Sequence, residues 1–290
     1  MHIVLGGTGN VGSALVRILL EQGQPVTVVT RRPEARAALE ARGARVAIAD
    51  IRDAQQLRQV LRTGERAFLL NPPADPATDT VAEERRTVNA ILDAVRGSGL
   101  DKVVAQSTCG ARPGDGEGDL NVLYEFEQGL ADLDVPASVV RGAYYMSNWD
   151  AALETARSDG VVHTLYPSDF ALPMVAPADL GRVAAQLITS PPDDAGIHEV
   201  EGPERYTPAD VAAAFAEALG RSVEAVVVPR EEWEASFEAL GFSRAAAASY
   251  AAMTAATLAG GFADPARVER GTTSLQQYIT ALVARGGHRD

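Results

Sequence analysis

The sequence predicts an α/β protein, a Rossmann-like doubly wound parallel sheet with a smaller C-terminal α/β substrate lobe. Three observations carry that expectation. Short β-branched runs alternate with longer helical stretches over roughly the first half of the 290 residues, which is how a parallel sheet with crossover helices reads. A glycine-rich turn, Gly6-Gly7-Thr8-Gly9-Asn10-Val11-Gly12, separates the first run from the first helical stretch. After about Tyr144 the alternation loosens. The expected division is a main domain over residues 1–145 and the lobe over residues 146–290, with segments of the second free to return to the main sheet.

Taken in order, the strand-like runs are Ile3-Val4-Leu5, Val26-Thr27-Val28-Val29, Val46-Ala47-Ile48, Ala67-Phe68-Leu69-Leu70, Val103-Val104-Ala105 and Ser138-Val139-Val140, six in all. Between the first two, Val11, Leu15, Ile18 and Leu19 recur at helical spacing until Gly23 supplies a stop. Val81, Val88, Ile91, Leu92 and Val95 repeat that pattern before Gly97-Ser98-Gly99, and all these positions read as core. Two loops stand out: residues 71–79 with three prolines, and residues 112–119 with three glycines and three acids. Farther on, strand-like runs at Val161-Val162, Ile197 to Val200 and Val223 to Val228 are assigned to the second lobe. Thr207-Pro208-Ala209-Asp210 opens a helix, with Thr as N-cap, Pro at the first helical position and Asp in the first turn. Trp233 and Phe237 form the buried side of another helix whose wet face carries Glu231, Glu232 and Glu234, and the alanine-rich stretch 244–259 favours helix strongly.

Composition narrows the function classes. Apolar residues make up 46% and charged residues 22%, enough for a globular core. Asp and Glu outnumber Lys and Arg by 39 to 26, and a net charge of −13 repels phosphate backbones, so direct nucleic-acid binding is not expected. The single cysteine forms no internal crosslink, which suits a reducing compartment. No apolar run is long enough for a membrane span or a signal peptide, and a cytoplasmic protein is expected.

Gly6, Gly9 and Gly12 are spaced three apart directly after a strand and before an apolar-periodic helix. In such a crossing the first glycine permits the tight turn, the second lets backbone approach a pyrophosphate, and the third allows close helix–strand packing. Free N–H groups and the positive helix end then hold the phosphates, so Gly6, Thr8, Gly9, Asn10, Val11 and Gly12 are read as a dinucleotide cradle. The end of the second strand selects the nucleotide. An NAD site places an acid there for the ribose 2′-hydroxyl, whereas this strand ends Thr30-Arg31-Arg32. Two guanidinium groups clamp a 2′-phosphate by charge-assisted bonds, so NADPH is favoured over NADH; the alternative is that they only solvate the loop. Asp50 and Ile51 after the third strand are placed at the adenine, and Asn71-Pro72 after the fourth and Ser107-Thr108-Cys109 after the fifth on the same edge. Asp50 as a helix cap and the prolines as loop stiffeners remain the structural alternatives.

These residues resemble a known family. The glycine motif, Arg31-Arg32, Ala49-Asp50, Val104-Ala105-Gln106-Ser107-Thr108, Val139-Val140-Arg141-Gly142-Ala143-Tyr144-Tyr145 and Ala176-Pro177-Ala178-Asp179-Leu180 are similar to the NmrA-like group of atypical short-chain dehydrogenase/reductases. Glu199 to Glu204, Thr207 to Asp210 and Thr272 to Leu275 continue the likeness over nearly the whole chain. The resemblance implies NAD(P) binding and, among bacterial members, NADPH-dependent reduction of quinones or other conjugated small molecules. It also implies relatives that bind the cofactor and act as regulators.

One departure bears on chemistry. Ordinary short-chain reductases use Tyr-x-x-x-Lys, the lysine lowering the tyrosine pKa for proton transfer. Here Tyr124 is followed by Gln at position 128, and the stretch 121–127 holds neither His nor Lys where relatives often carry one. Quinone reduction asks for less: positioning over the nicotinamide, with Ser107, Thr108 and Tyr124 as the catalytic candidates and Tyr144, Tyr145 and Trp149 as substrate contacts or, equally, core aromatics. Cys109 reads as a small buried residue, and the scattered His2, His163, His198 and His288 offer no metal site. The expected activity is hydride transfer from NADPH to a small conjugated acceptor such as a quinone. The alternative is an NADP(H)-binding redox sensor without turnover, and a homodimer or a regulatory protein partner stays open.

Overall fold

The computed structural model describes residues 1–260, 262 and 267–286. The main domain alternates β1 (His2–Leu5), α1 (Asn10–Glu21), β2 (Val26–Thr30), α2 (Arg36–Glu40), β3 (Arg45–Ile48), α3 (Ala54–Leu61), β4 (Arg66–Leu69), α4 (Thr80–Val95), β5 (Lys102–Thr108), α5 (Asp119–Ala131) and β6 (Ala137–Gly142). Each strand of this series pairs in parallel with its neighbours. Parallel strands are covered on both faces, and side-chain alternation splits the core accordingly. Val4, Phe68 and Val104 face α1, while Ile3, Leu5, Val103 and Ala105 face the layer of α3, α4 and α5.

The chain then leaves the sheet through β7 (Tyr144–Tyr145), α6 (Leu153–Ser158), β8 (Val161–Thr164) and β9 (Leu172–Val175), and returns through α7 (Pro177–Thr189) to β10 (Gly196–Glu201). It continues with β11 (Arg205–Tyr206), α8 (Pro208–Leu219), β12 (Glu224–Val227), α9 (Trp233–Ala239), α10 (Arg244–Leu258), β13 (Glu269–Arg270) and α11 (Leu275–Gly286). The large sheet has eight strands in the order β13-β10-β6-β5-β4-β1-β2-β3.

This corrects the expectation of six strands, and the run Ile197 to Val200, read with the second lobe, is one of the segments that return to the main sheet. That run is β10, which pairs in parallel with β6 from Gly196↔Ser138 to Val200↔Gly142. A parallel neighbour needs a crossover, and α7, packed along α1, supplies it. The other two expected runs, β8 and β12, pair with each other outside the main sheet. The lobe core gathers Met146, Trp149, Tyr166, Leu172, Met174, Phe215 and Ile279 from either side of that excursion.

Local chemistry explains several boundaries. Thr207 and Asp210 form a reciprocal capping box at the start of α8, as their spacing predicts. Asp179, 4% exposed, accepts the Thr273 N–H at 3.0 Å and so ties the C-terminal segment to α7. At the amino edge of the sheet Lys102 is fully buried and donates to Ser190 Oγ and to the carbonyls of Pro191 and Asp194, closing the loop after α7. No helix among the described residues is long and apolar enough to cross a membrane.

Candidate functional site

β1 delivers the chain to the carboxyl edge of the sheet, where Gly6, with φ at +67°, turns it toward α1. A Cβ on Gly12 would lie 2.2 Å from the Gly6 carbonyl oxygen, so turn and helix pack at a distance that excludes any side chain there. Gly9 differs: its added Cβ would meet only that same oxygen, at 3.4 Å. The fold leaves space in front of Gly9. As N-cap of α1, Gly9 contributes no side-chain bond, and the first turn carries no acid. The leading N–H groups and the positive end of the helix dipole therefore face that space uncompensated, a combination that fits a diphosphate.

A cavity of about 520 Å³ opens from this turn across the ends of β2 and β3, and Gly6, Thr8, Arg31, Arg32, Ile51 and Pro72 of the predicted cofactor set line it. Arg32 donates from Nη2 to Thr8 Oγ1 at 3.0 Å, while its N–H donates to the Thr30 hydroxyl at 3.1 Å. The guanidinium already reaches back to the glycine turn. Arg52, which the sequence reading passed over although it stands two residues after Asp50, is a third arginine in the lining. It donates to both Asp50 oxygens at 3.4–3.5 Å. Burial pushes the Asp50 carboxyl up, but the bonds from Arg52 and the nearby Arg31 charge outweigh it and hold the group below its usual range. Arg31, Arg32 and Arg52 concentrate positive charge at one end of a cavity that also carries Asp75 and Glu83, on a chain with a net charge of −13 overall. The far wall is the proline loop, anchored where the Ala74 N–H donates to Glu84 at 2.9 Å. Within it the Asn71 Oδ1 is buried and has no partner, the kind of orphaned acceptor that a bound amide or hydroxyl would satisfy.

Gly9, Asn10, Val11, Gly12, Asp50 and Asn71 do not line this cavity although they belong to the turn, helix and strand ends around it, and neither do Ser107, Thr108, Tyr124, Tyr144, Tyr145 and Trp149, which belong to β5, α5, β7 and the lobe. Ser107 is 1% exposed and donates its hydroxyl proton to Glu127 at 2.5 Å. Glu127 in turn accepts from Arg141 Nε at 2.9 Å and Nη2 at 2.6 Å, and Arg141 also faces Glu199. Sequence reasoning missed this buried chain; its one signal is an arginine closing the otherwise apolar Val139-Val140 run. Thr108 donates to the Cys109 carbonyl at 3.3 Å. Burial, then the Glu199 charge, push the Cys109 thiol up, which keeps it protonated and unreactive. Tyr124 is half-buried one helical turn before Glu127. Tyr145 lies against Gly142, whose added Cβ would come 3.0 Å from the ring. Tyr144 meets Tyr166 edge-on at 5.7 Å and Trp149 at 6.0 Å, and Trp149, 4% exposed, sits in the lobe core.

The model of the NmrA-like family matches residues 2–253. The chain belongs to the NmrA-like family. Among relatives of this NmrA-like chain, the (4-alkanoyl-5-oxo-2,5-dihydrofuran-3-yl)methyl phosphate reductase of Streptomyces griseus is 31% identical over 223 residues, which is 76% of this chain and 74% of that protein. The NAD(P)H azoreductase of Xenophilus azovorans is 26% identical over 248 residues, covering 83% and 82% of the two chains. A solved NADPH-dependent quinone oxidoreductase of Escherichia coli, complexed with NADPH, superposes with a TM-score of 0.80 at 22% identity, over 97% of this chain and 99% of its own. That last likeness is one of fold.

Proposed function

We propose that this NmrA-like chain is an NADPH-dependent oxidoreductase that passes hydride to a small conjugated acceptor of the quinone class. The observation that carries the reading is the arginine-lined cavity that opens onto an uncapped helix start in front of Gly9. Arg31 and Arg32 would hold the 2′-phosphate, the N–H groups after Gly9 the diphosphate, and Asp50 with Ile51 the adenine. In the sheet order β1 has β2 and β3 on one side and β4, β5 and β6 on the other. Residues at the ends of β2 and β3 would then hold the adenosine half, and residues at the ends of β4 to β6 would hold the nicotinamide half.

NADPH, when bound, supplies the hydride. Ser107, its proton committed to Glu127, presents oxygen lone pairs on that side, and Tyr144 and Tyr145 wall the place where an acceptor stacks. Trp149 supports this wall from within the lobe core. Relatives named for reducing azo, unsaturated lactone and quinone compounds, all conjugated acceptors, support the substrate class. The same reading makes it a cytoplasmic enzyme. The test is NADPH oxidation, followed by absorbance, over a panel of quinones, enones and azo compounds. Turnover with at least one class is expected; tight NADPH binding with none turned over would favour the sensor reading instead.

A further inference from the structure

A reductase lacking Tyr-x-x-x-Lys still has to protonate its product, and the chain carries a buried acid pair that the site described so far leaves unused. We infer that the Glu84–Asp119 carboxyl pair is the proton donor of the reduction, and that Ser249 and Tyr250 of α10 wall the place where the acceptor receives that proton. This rests on the reductase reading above.

Glu84 is 3% exposed on α4 and hydrogen-bonds Asp119, the first residue of α5. Its one backbone donor is the Ala74 N–H, on the loop that lines the cofactor cavity. Asp119 from α5 and Tyr250 from α10 face Glu84, and Tyr145 from β7 and Tyr250 face Asp119. Arg85, the neighbouring cation, turns away to Asp115 and Glu125. Burial first, then the Asp119 charge, push Glu84 up to about 9, so the pair retains one proton at neutral pH. A second observation marks a ligand's place. Ser249 is 6% exposed and its Oγ has no partner, yet it lies beside Gly118, where an added Cβ would come 3.0 Å from it. An unpartnered hydroxyl against Gly118, which precedes Asp119 and has no side chain to fill the space there, is where a polar atom of the acceptor fits.

The step balances. Hydride adds to one end of the acceptor's conjugated system, and the displaced π electrons collect on its oxygen or nitrogen. That atom takes the proton of the pair, forming O–H or N–H as the carboxyl O–H bond breaks. NADPH leaves as NADP⁺, and a proton from solvent restores the pair.

Glu84→Gln and Asp119→Asn, each checked for an unchanged melting temperature, test this. Expected are an NADPH Kd within about two-fold of wild type and a kcat on a quinone about 100-fold lower; wild-type kcat is expected to fall as pH rises toward about 9, and both variants to lack that fall. Infrared spectra of the protein without cofactor should show a protonated carboxyl band at neutral pH that Glu84→Gln removes. Full turnover in both variants, or no such band, overturns the proposal alone; a wild type inactive on every acceptor overturns the reductase reading with it.

Discussion

Alanine separates the parts played by Gly9 and Gly12. At Gly12 a methyl group collides with the Gly6 carbonyl at 2.2 Å, so Gly12→Ala should cost about 3 kcal/mol of stability by overpacking, seen as a lower denaturation midpoint. At Gly9 the methyl fits the fold but fills the space left for the ligand. Gly9→Ala should therefore melt within a few degrees of wild type while NADPH affinity falls at least about tenfold, near 1.4 kcal/mol. Arg31→Ala and Arg32→Ala should each lose about 1.5–3 kcal/mol toward NADPH and little toward NADH, measured by calorimetric titration of both. Glu84 adds a stability test. Because its folded pKa is raised from 4.5 to about 9, the native state holds a proton that the unfolded chain releases over that range. The stability it contributes is present at acid pH and lost as pH rises toward 9, and chemical denaturation of Glu84→Gln should lack that part of the slope. The glycines and the arginine pair were legible in sequence because their chemistry depends on local spacing. Arg52, Glu127 and Glu84 were not, since what makes them distinctive is which distant atoms surround them.

At the scale of elements, the N-terminus of α10 is joined to the cofactor loop. Ser243 caps α10 through Ala246 N–H, and also donates from N–H to the Pro76 carbonyl at 2.8 Å and from Oγ to the Thr78 carbonyl at 2.7 Å. Ser243→Ala should cost about 1 kcal/mol as a lost cap and raise the KM for NADPH by loosening residues 71–79, with kcat nearly unchanged. The alanine-rich composition of this stretch showed a helix but not its partner. Most strands of the first half were readable to within a residue or two, because buried parallel strands are near-continuous apolar runs. β10 was readable as a strand and misplaced as to sheet: its pairing with β6 is set by α7 packing on α1, contacts far apart in sequence.

For the whole molecule, one edge of an eight-stranded sheet collects the chemistry, with arginines over β2 and β3 and buried carboxylates beyond β5 and β6. The C-terminal half contributes both to the sheet, through β10 and β13, and to the cover over the acid pair, through α10. The account stands on the glycine turn holding a dinucleotide whose phosphorylated ribose rests on Arg31 and Arg32. Calorimetric titration of the wild-type chain with NADPH and with NADH measures this directly. One NADPH per chain, bound at least about tenfold more tightly than NADH, is the predicted result. Heat from neither nucleotide, or equal affinity for the two, would contradict it.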